Sequence, residues 1–238
     1  MYILEARQLT KTYHDGEVET QVLKGISFGI RKGEFVAIMG PSGSGKSTLL
    51  HILGFLDRQT SGTYLFDDTS SDNYSEDDLA RIRNEKVGFV FQSFNLLPRV
   101  SVLENVMLPL LYSSVPEIEW HGRAVAAIEA VGLSHRSGYD ASRLSGGEKQ
   151  RTAIARSLVN HPDIIFADEP TGNLDTQSGK AVMEILEGLN RDHGHTIILI
   201  THETFTASHA ERILHIRDGM IEQDEQVRDR VRADSFVK

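Results

Sequence analysis

Gly40-Pro41-Ser42-Gly43-Ser44-Gly45-Lys46-Ser47 is the stretch on which the fold turns. It fits G-x-x-x-x-G-K-[ST]. Glu34-Phe35-Val36-Ala37-Ile38-Met39, of strand length, precedes it, and Thr48-Leu49-Leu50-His51-Ile52-Leu53, with helical spacing, follows. Strand, glycine loop and helix in this order form the context of a phosphate-binding loop. Glycines let the backbone curl without a Cβ clash, so its N–H groups turn inward. The helix behind adds the positive end of its dipole. Lys46 can reach outer phosphates, and the Ser47 hydroxyl can serve Mg²⁺. The bland alternative is a glycine-rich turn, and the flanks weigh against it.

Working outward, Asp163-Ile164-Ile165-Phe166-Ala167-Asp168 and Thr196-Ile197-Ile198-Leu199-Ile200 read as strands joined by a helix over about 178–191. Val87-Gly88-Phe89-Val90-Phe91 reads as another buried strand. Strands alternating with helices argue for an α/β fold with parallel pairing. Each strand end carries chemistry. Asp168 suits the Mg²⁺ shell, and Glu169 is then free to deprotonate a water facing the terminal phosphate. His202 can hold that water or be structural. Gln92 can reach the Mg²⁺ shell or cap a helix. Lys46, Gln92, Asp168, Glu169 and His202 would share one rim of the sheet, where open α/β sheets bind ligands.

Residues 2–9 and 20–30 read as strands with a turn at Asp15-Gly16-Glu17, and Tyr13 just before it can stack on a base. Ser61–Asp68 reads as a strand ending in an acidic turn. Ser75-Glu76-Asp77-Asp78 and Ser101-Val102-Leu103-Glu104 resemble capping boxes. Residues 93–143 are mostly helical in pattern, with a helix over 117–131, and read as an inserted lobe. Asp218-Gly219 signals a hairpin.

The chain has 238 residues, net charge −9 and no cysteine. Its length allows one large domain or a domain with a lobe. Disulfides, zinc–thiolate sites and cysteine nucleophiles are excluded, and the acidic balance argues against nucleic acid as the main partner. No apolar run is of spanning length, and the first residues do not read as a signal peptide.

Leu144-Ser145-Gly146-Gly147-Glu148-Lys149-Gln150-Arg151 precedes an apolar helix. Ser145 would cap that helix, and Gly146 and Gly147 would leave its N–H groups open as a second anion site. A lobe would carry this site away from Gly40–Ser47. A symmetric dimer solves the placement, with the helix end of each protomer covering the nucleotide of the other.

The sequence resembles the ATP-binding cassette (ABC) ATPases over nearly its whole length. The phosphate loop, Gln92, Leu144-Ser145-Gly146-Gly147, Phe166-Ala167-Asp168-Glu169-Pro170, Leu174-Asp175 and His202 stand in that family's order. Phe91–Leu97, Glu104–Leu110 and Glu169–Asp175 resemble the group serving macrolide exporters and lipoprotein-release systems. Glu148-Lys149 departs from that group, where glutamines are usual.

The resemblance implies a P-loop NTPase core of mixed, mainly parallel sheet with N-terminal antiparallel strands and an inserted α-helical lobe. The core would comprise a RecA-like 1–92 and 160–228, the lobe about 93–159, and a frayed tail 229–238. It implies an ATPase subunit using ATP and Mg²⁺. Gly40, Pro41, Ser42, Gly43, Ser44, Gly45, Lys46, Ser47 and Thr48 would cradle the nucleotide, with Tyr13 on adenine. Ser47, Gln92 and Asp168 would hold the metal, and Glu169 and His202 would be catalytic. Ser145, Gly146 and Gly147 would reach the partner's nucleotide, and Asp175 would bridge the protomers. A head-to-tail homodimer would sit on the cytoplasmic face of a membrane, driving a permease that docks near residues 93–112. A relative that drives transmembrane signalling is the alternative.

Overall fold

The structure is a computed structural model and describes residues 1–16 and 18–232. Two sheets form it. β1 (Tyr2–Asp15), β2 (Val18–Arg31), β4 (Ser61–Phe66) and β5 (Thr69–Ser70) make an antiparallel sheet in the order β2-β1-β4-β5. The larger sheet consists of β3 (Phe35–Met39), β6 (Val87–Val90), β7 (Ile164–Asp168), β8 (Thr196–Thr201), β9 (Arg212–Arg217) and β10 (Met220–Gln226). Its order is β10-β9-β3-β8-β7-β6, and all pairs but β10 with β9 are parallel.

The central strands are buried on both faces, and their pleat divides them between two cores. Phe35, Ala37 and Met39 of β3, Ile165 and Ala167 of β7, and Ile197 and Leu199 of β8 face one core. Val36, Ile38, Ile164, Phe166, Ile198 and Ile200 face the other. The two-residue period of a strand makes this division, and burial on both faces explains why these stretches read as unbroken apolar runs. The first core is closed by α3 (Val102–Met107), α4 (Glu117–Ala130), α5 (Gly146–Leu158) and α6 (Thr176–Arg191). The second is closed by α1 (Lys46–Leu53), α2 (Glu76–Glu85) and the antiparallel sheet. The helices between β6 and β7 thus share one apolar core with a sheet face. α5 comes so close to β6 that a Cβ on Gly88 would lie 2.8 Å from the Ser157 carbonyl oxygen.

Parallel pairing puts the strands' carboxyl ends on one rim. Met39 stands opposite Thr201, Asp168 opposite Ile200, and Val90 opposite Ala167. Both expected capping boxes form, at Ser75–Asp78 and Ser101–Glu104. The β9–β10 hairpin turns on Asp218 and Gly219, both at positive φ (49° and 80°), as a two-residue turn with the strands' twist requires.

Three features differ from expectation. β1 runs to Asp15, well past residue 9, and β2 begins two residues early at Val18, because register shifts around left-handed Gln8 let pairing continue past a bulge. Residues 93–101 are irregular, with Phe94, Asn95 and Arg99 left-handed, and the apolar stretch becomes the short α3 followed by a 3-10 turn over 108–112. The tail expected to fray from 229 is held at least to Val231. Arg230 stacks its guanidinium over Phe35 and donates to the His209 carbonyl, and the Val231 N–H donates to the Ser208 carbonyl. The rest of that tail, 233–238, lies outside the described residues.

Candidate functional site

The loop between β3 and α1 is shaped by its glycines. Gly45, the N-cap of α1, has φ 103°, which an L side chain rarely adopts. Gly40 needs closeness: a Cβ there would lie 2.1 Å from the Ile216 carbonyl oxygen on β9. The Gly219 N–H donates to the Ser44 carbonyl (3.1 Å), so the hairpin braces the loop from behind. Lys46 Nζ donates to the carbonyls of Gly40 and Pro41, both at 2.8 Å. Burial lowers its pKa, against the pull of Glu169 and Asp168.

A cleft of about 950 Å³ opens over this loop, and Gln92, Asp168, Glu169 and His202 line its far wall. The rim predicted from strand order is therefore assembled. Asp168 is half-buried, and its pKa is raised by burial and then by the neighbouring Glu169 carboxylate. Glu169 leaves the strand with φ 45°, its N–H donating to the Ile200 carbonyl at 2.8 Å. This turn aims its side chain at β8. There Oε1 accepts from the His202 N–H (3.1 Å) and meets His202 Nδ1 at 2.5 Å, and Oε2 accepts from Thr201 Oγ1 (3.2 Å). Glu169 and His202 are thus held together, and Thr201 holds the other carboxylate oxygen. Gln92 lies against Gly172, whose Cβ would come 2.8 Å from the amide nitrogen.

The donor set suits Mg²⁺. Ser47, Gln92 and Asp168 offer one hydroxyl, one amide and one carboxylate, and Mg²⁺ takes few protein ligands, completing its shell with phosphate and water. No cluster of three or more His, Cys, Asp or Glu able to hold a metal occurs among the described residues. Ser44 Oγ is buried behind the loop without a hydrogen-bond partner.

Tyr13 is not among the residues lining the cleft. Its hydroxyl donates to Asp57 Oδ2 (2.8 Å) and interacts with Thr48, which lines the cleft. Burial, then Asp57, raises the pKa of this phenol.

Ser145, Gly146, Gly147 and Asp175 form a second group that shares no lining residue with the cleft. Ser145 caps α5 by accepting from the Glu148 N–H, and Glu148 accepts from the Ser145 N–H at 2.8 Å. Glu148 is also paired with Arg136 at 2.8 Å. This third capping box escaped the reading of Glu148, although Ser-x-x-Glu is its signature. Gly147 has a packing role too, since its Cβ would lie 2.7 Å from Ser178 Oγ on α6. Asp175 caps α6, accepting from the N–H and hydroxyl of Ser178.

His215 and Val22 also line the cleft. Sequence reasoning missed His215 because the pairing of β9 with β3, which sets it opposite Met39, is a long-range register with no local signal.

The ABC transporter family profile matches residues 23–172. The ABC transporter ATP-binding protein YvrO of Bacillus subtilis is 50% identical over 224 residues, covering 94% of this chain and 97% of that protein. The macrolide export ATP-binding/permease protein MacB of Bdellovibrio bacteriovorus is 49% identical over 94% of this chain, which spans only 34% of its length. The ATP-binding cassette MJ0796, a protein of Methanocaldococcus jannaschii, has been solved as a dimer in a post-hydrolysis state with ADP and Pi. That structure superposes with a TM-score of 0.86 at 42% identity, covering 95% of this chain and 99% of that one. No helix among the described residues is long and apolar enough to cross a membrane. With the phosphate loop, the carboxylate–histidine rim and the separate capped helix in the arrangement described, the chain belongs to the ABC transporter family, as one of its ATPase cassettes.

Proposed function

We propose that the chain binds Mg-ATP in the 950 Å³ cleft and hydrolyses it as a head-to-tail homodimer that drives a membrane permease. The observation that carries this reading is the separation of two half-sites. Lys46, Asp168, Glu169 and His202 line the cleft, whereas Ser145 and Gly147 line another pocket that shares no residue with it, which supports a site completed by a second copy. A two-fold related copy brings each capped helix over the partner's cleft.

In the chemical step a water oxygen bonds to the γ-phosphorus, and the bond to the β–γ bridging oxygen breaks. Glu169 accepts the water's proton, with Thr201 and His202 fixing its oxygens. Lys46 and the N-terminus of α1 oppose the negative charge on the phosphates. Ser47, Asp168 and Gln92 would hold a Mg²⁺, which would supply positive charge against the phosphates.

For the permease, the MacB relatives carry the name of an ATP-binding part joined to a permease, and the chain covers a third of them. An apolar groove of about 540 Å³ runs between α2, β6, residues 108–112 and α5, lined by Phe89, Phe91, Leu108, Pro109, Tyr112 and Arg156. Tyr112 is 80% exposed, whereas Phe94 and Leu96 pack on the core, so docking centres on the C-terminal part of 93–112. Arg156 is largely desolvated and donates to the Phe94 and Asn95 carbonyls, and the described groove lining holds no acid. An apolar segment carrying a carboxylate fits it. On this reading the subunit works at the inner face of a membrane.

The test mixes Ser145→Arg and Lys46→Ala subunits. In a head-to-tail dimer one composite site carries both lesions and the other neither, so a heterodimer purified with two tags binds ATP at its intact site. A heterodimer as impaired as both parents refutes the composite arrangement.

A further inference from the structure

We infer that Lys11 and Asp57 are positioning residues for the nucleotide base, clamping the Tyr13 ring from one face and one edge so that its other face is held open for stacking. This rests on the reading above, in which Tyr13 receives adenine.

The clamp is built from three contacts. Lys11 Nζ lies 4.7 Å from the centroid of the Tyr13 ring, over its face. The same ammonium donates to Asp57 Oδ1 (2.6 Å) and to the Arg58 carbonyl (2.7 Å). The other Asp57 oxygen accepts from the Tyr13 hydroxyl at 2.8 Å. Lys11 is only 9% exposed, although lysine is almost never buried without a partner. Tyr13, by contrast, is 40% exposed. A large aromatic with one face on a cation, its hydroxyl fixed, and its remaining surface open is a stacking platform.

The clamp is also referred to the phosphate loop. The N–H groups of Leu56 and Asp57 both donate to the His51 carbonyl, at 2.7 and 3.1 Å, so Asp57 folds back on α1. α1 begins at Lys46, and its Thr48 side chain interacts with the Tyr13 hydroxyl. One short helix therefore sets both the phosphate cradle and the ring. Without the clamp the ring regains rotamer freedom, and stacking must then restrict it. Asp57 stays ionised against the cost of its partial burial because Lys11, Tyr13 and the Arg58 N–H all bond to it.

The test compares ADP with inorganic pyrophosphate, which has the phosphates and no base, by calorimetric titration of the full chain. Lys11→Met and Asp57→Asn are expected to weaken ADP about three- to tenfold and to leave pyrophosphate within about twofold. Lys11→Arg, which keeps the cation, restores ADP affinity. Tyr13→Phe, which keeps the ring and loses the hydroxyl, weakens ADP in the same direction. If Tyr13→Ala weakens ADP but Lys11→Met and Asp57→Asn do not, the base stacks on Tyr13 and the clamp is refuted. If Tyr13→Ala leaves ADP unchanged, the stacking reading itself fails. Equal losses for ADP and pyrophosphate in Lys11→Met make the role structural and overturn the inference. Should Lys11→Met not fold, Asp57→Asn and Tyr13→Phe decide it by the same ratio.

Discussion

Glu169→Gln isolates the chemical step from binding. Glutamine keeps the side chain's length and an oxygen to accept from the His202 N–H, and its amide can donate to Thr201 Oγ1, where the carboxylate accepts at 3.2 Å. The fold is therefore expected to survive, at a cost of about 1 kcal/mol for the altered bonding. What glutamine cannot do is take a proton. A positioned general base contributes about 10²–10⁴-fold, so turnover should fall by about 2.7–5.4 kcal/mol of barrier. The variant also removes the second cause of the raised Asp168 pKa, leaving burial alone to hold it up. Asp168, Ser47 and Lys46 are untouched, so Mg-ATP binding is expected to be retained. The assays are phosphate release under saturating Mg-ATP, nucleotide binding by calorimetry, and size exclusion with Mg-ATP, which should show a lasting dimer. Glu169→Asp keeps an acceptor one methylene short and should fall between. Release within threefold of the parent rate, with binding intact, would place the base elsewhere.

Gly40→Ala drives a methyl into the Ile216 carbonyl oxygen and should destabilise by at least about 2 kcal/mol, whereas Gly43→Ala has open space and only its φ of 80° to strain, about 1 kcal/mol; denaturant melts compare the two. Tyr112→Asp should leave the isolated subunit folded and hydrolysing ATP while abolishing co-purification with its permease; unchanged assembly moves the docking site away from the groove. The Ser145 N–H, followed by other partners including Arg136, holds the Glu148 pKa below its ordinary value. Its stabilisation is therefore complete above about pH 4.3, the unfolded value, and lost as pH falls through the lowered one. Melts between pH 7 and 3 should show Glu148→Gln with a flatter acid limb than the parent.

What was legible in the sequence was short-ranged. The phosphate loop could be read because Gly45 needs a left-handed φ that few residues adopt, and because β3 and α1 flank it at once. Asp168, Glu169 and His202 could be read because each follows a buried apolar run, and parallel strands carry their ends to one rim. What could not be read depends on register between distant strands or on side chains meeting across elements. The Ile216 carbonyl presses on Gly40 only because β9 pairs with β3. Lys11 and Asp57 meet across 46 residues, and nothing near either one names the other. Left-handed Phe94 and Asn95 broke a helical pattern whose apolar spacing was otherwise sound, and Arg156 now bonds to both of their carbonyls.

Glu148 is a different kind of miss, because its signal was local and the glycines beside it drew the reading. Its presence sets an electrostatic problem. A carboxylate in the first turn of α5 favours the helix dipole, yet it stands next to Ser145 at a helix end assigned to the partner's phosphates. Two like charges there would oppose closure of the dimer. Arg136 answers this from outside the helix: its guanidinium binds Glu148 Oε1 at 2.8 Å, while Oε2 stays on the Ser145 N–H. The pair brings no net charge to the helix end, so in the proposed dimer the dipole and the backbone N–H groups of Gly146 and Gly147 would still set the sign of the field that an approaching phosphate would meet.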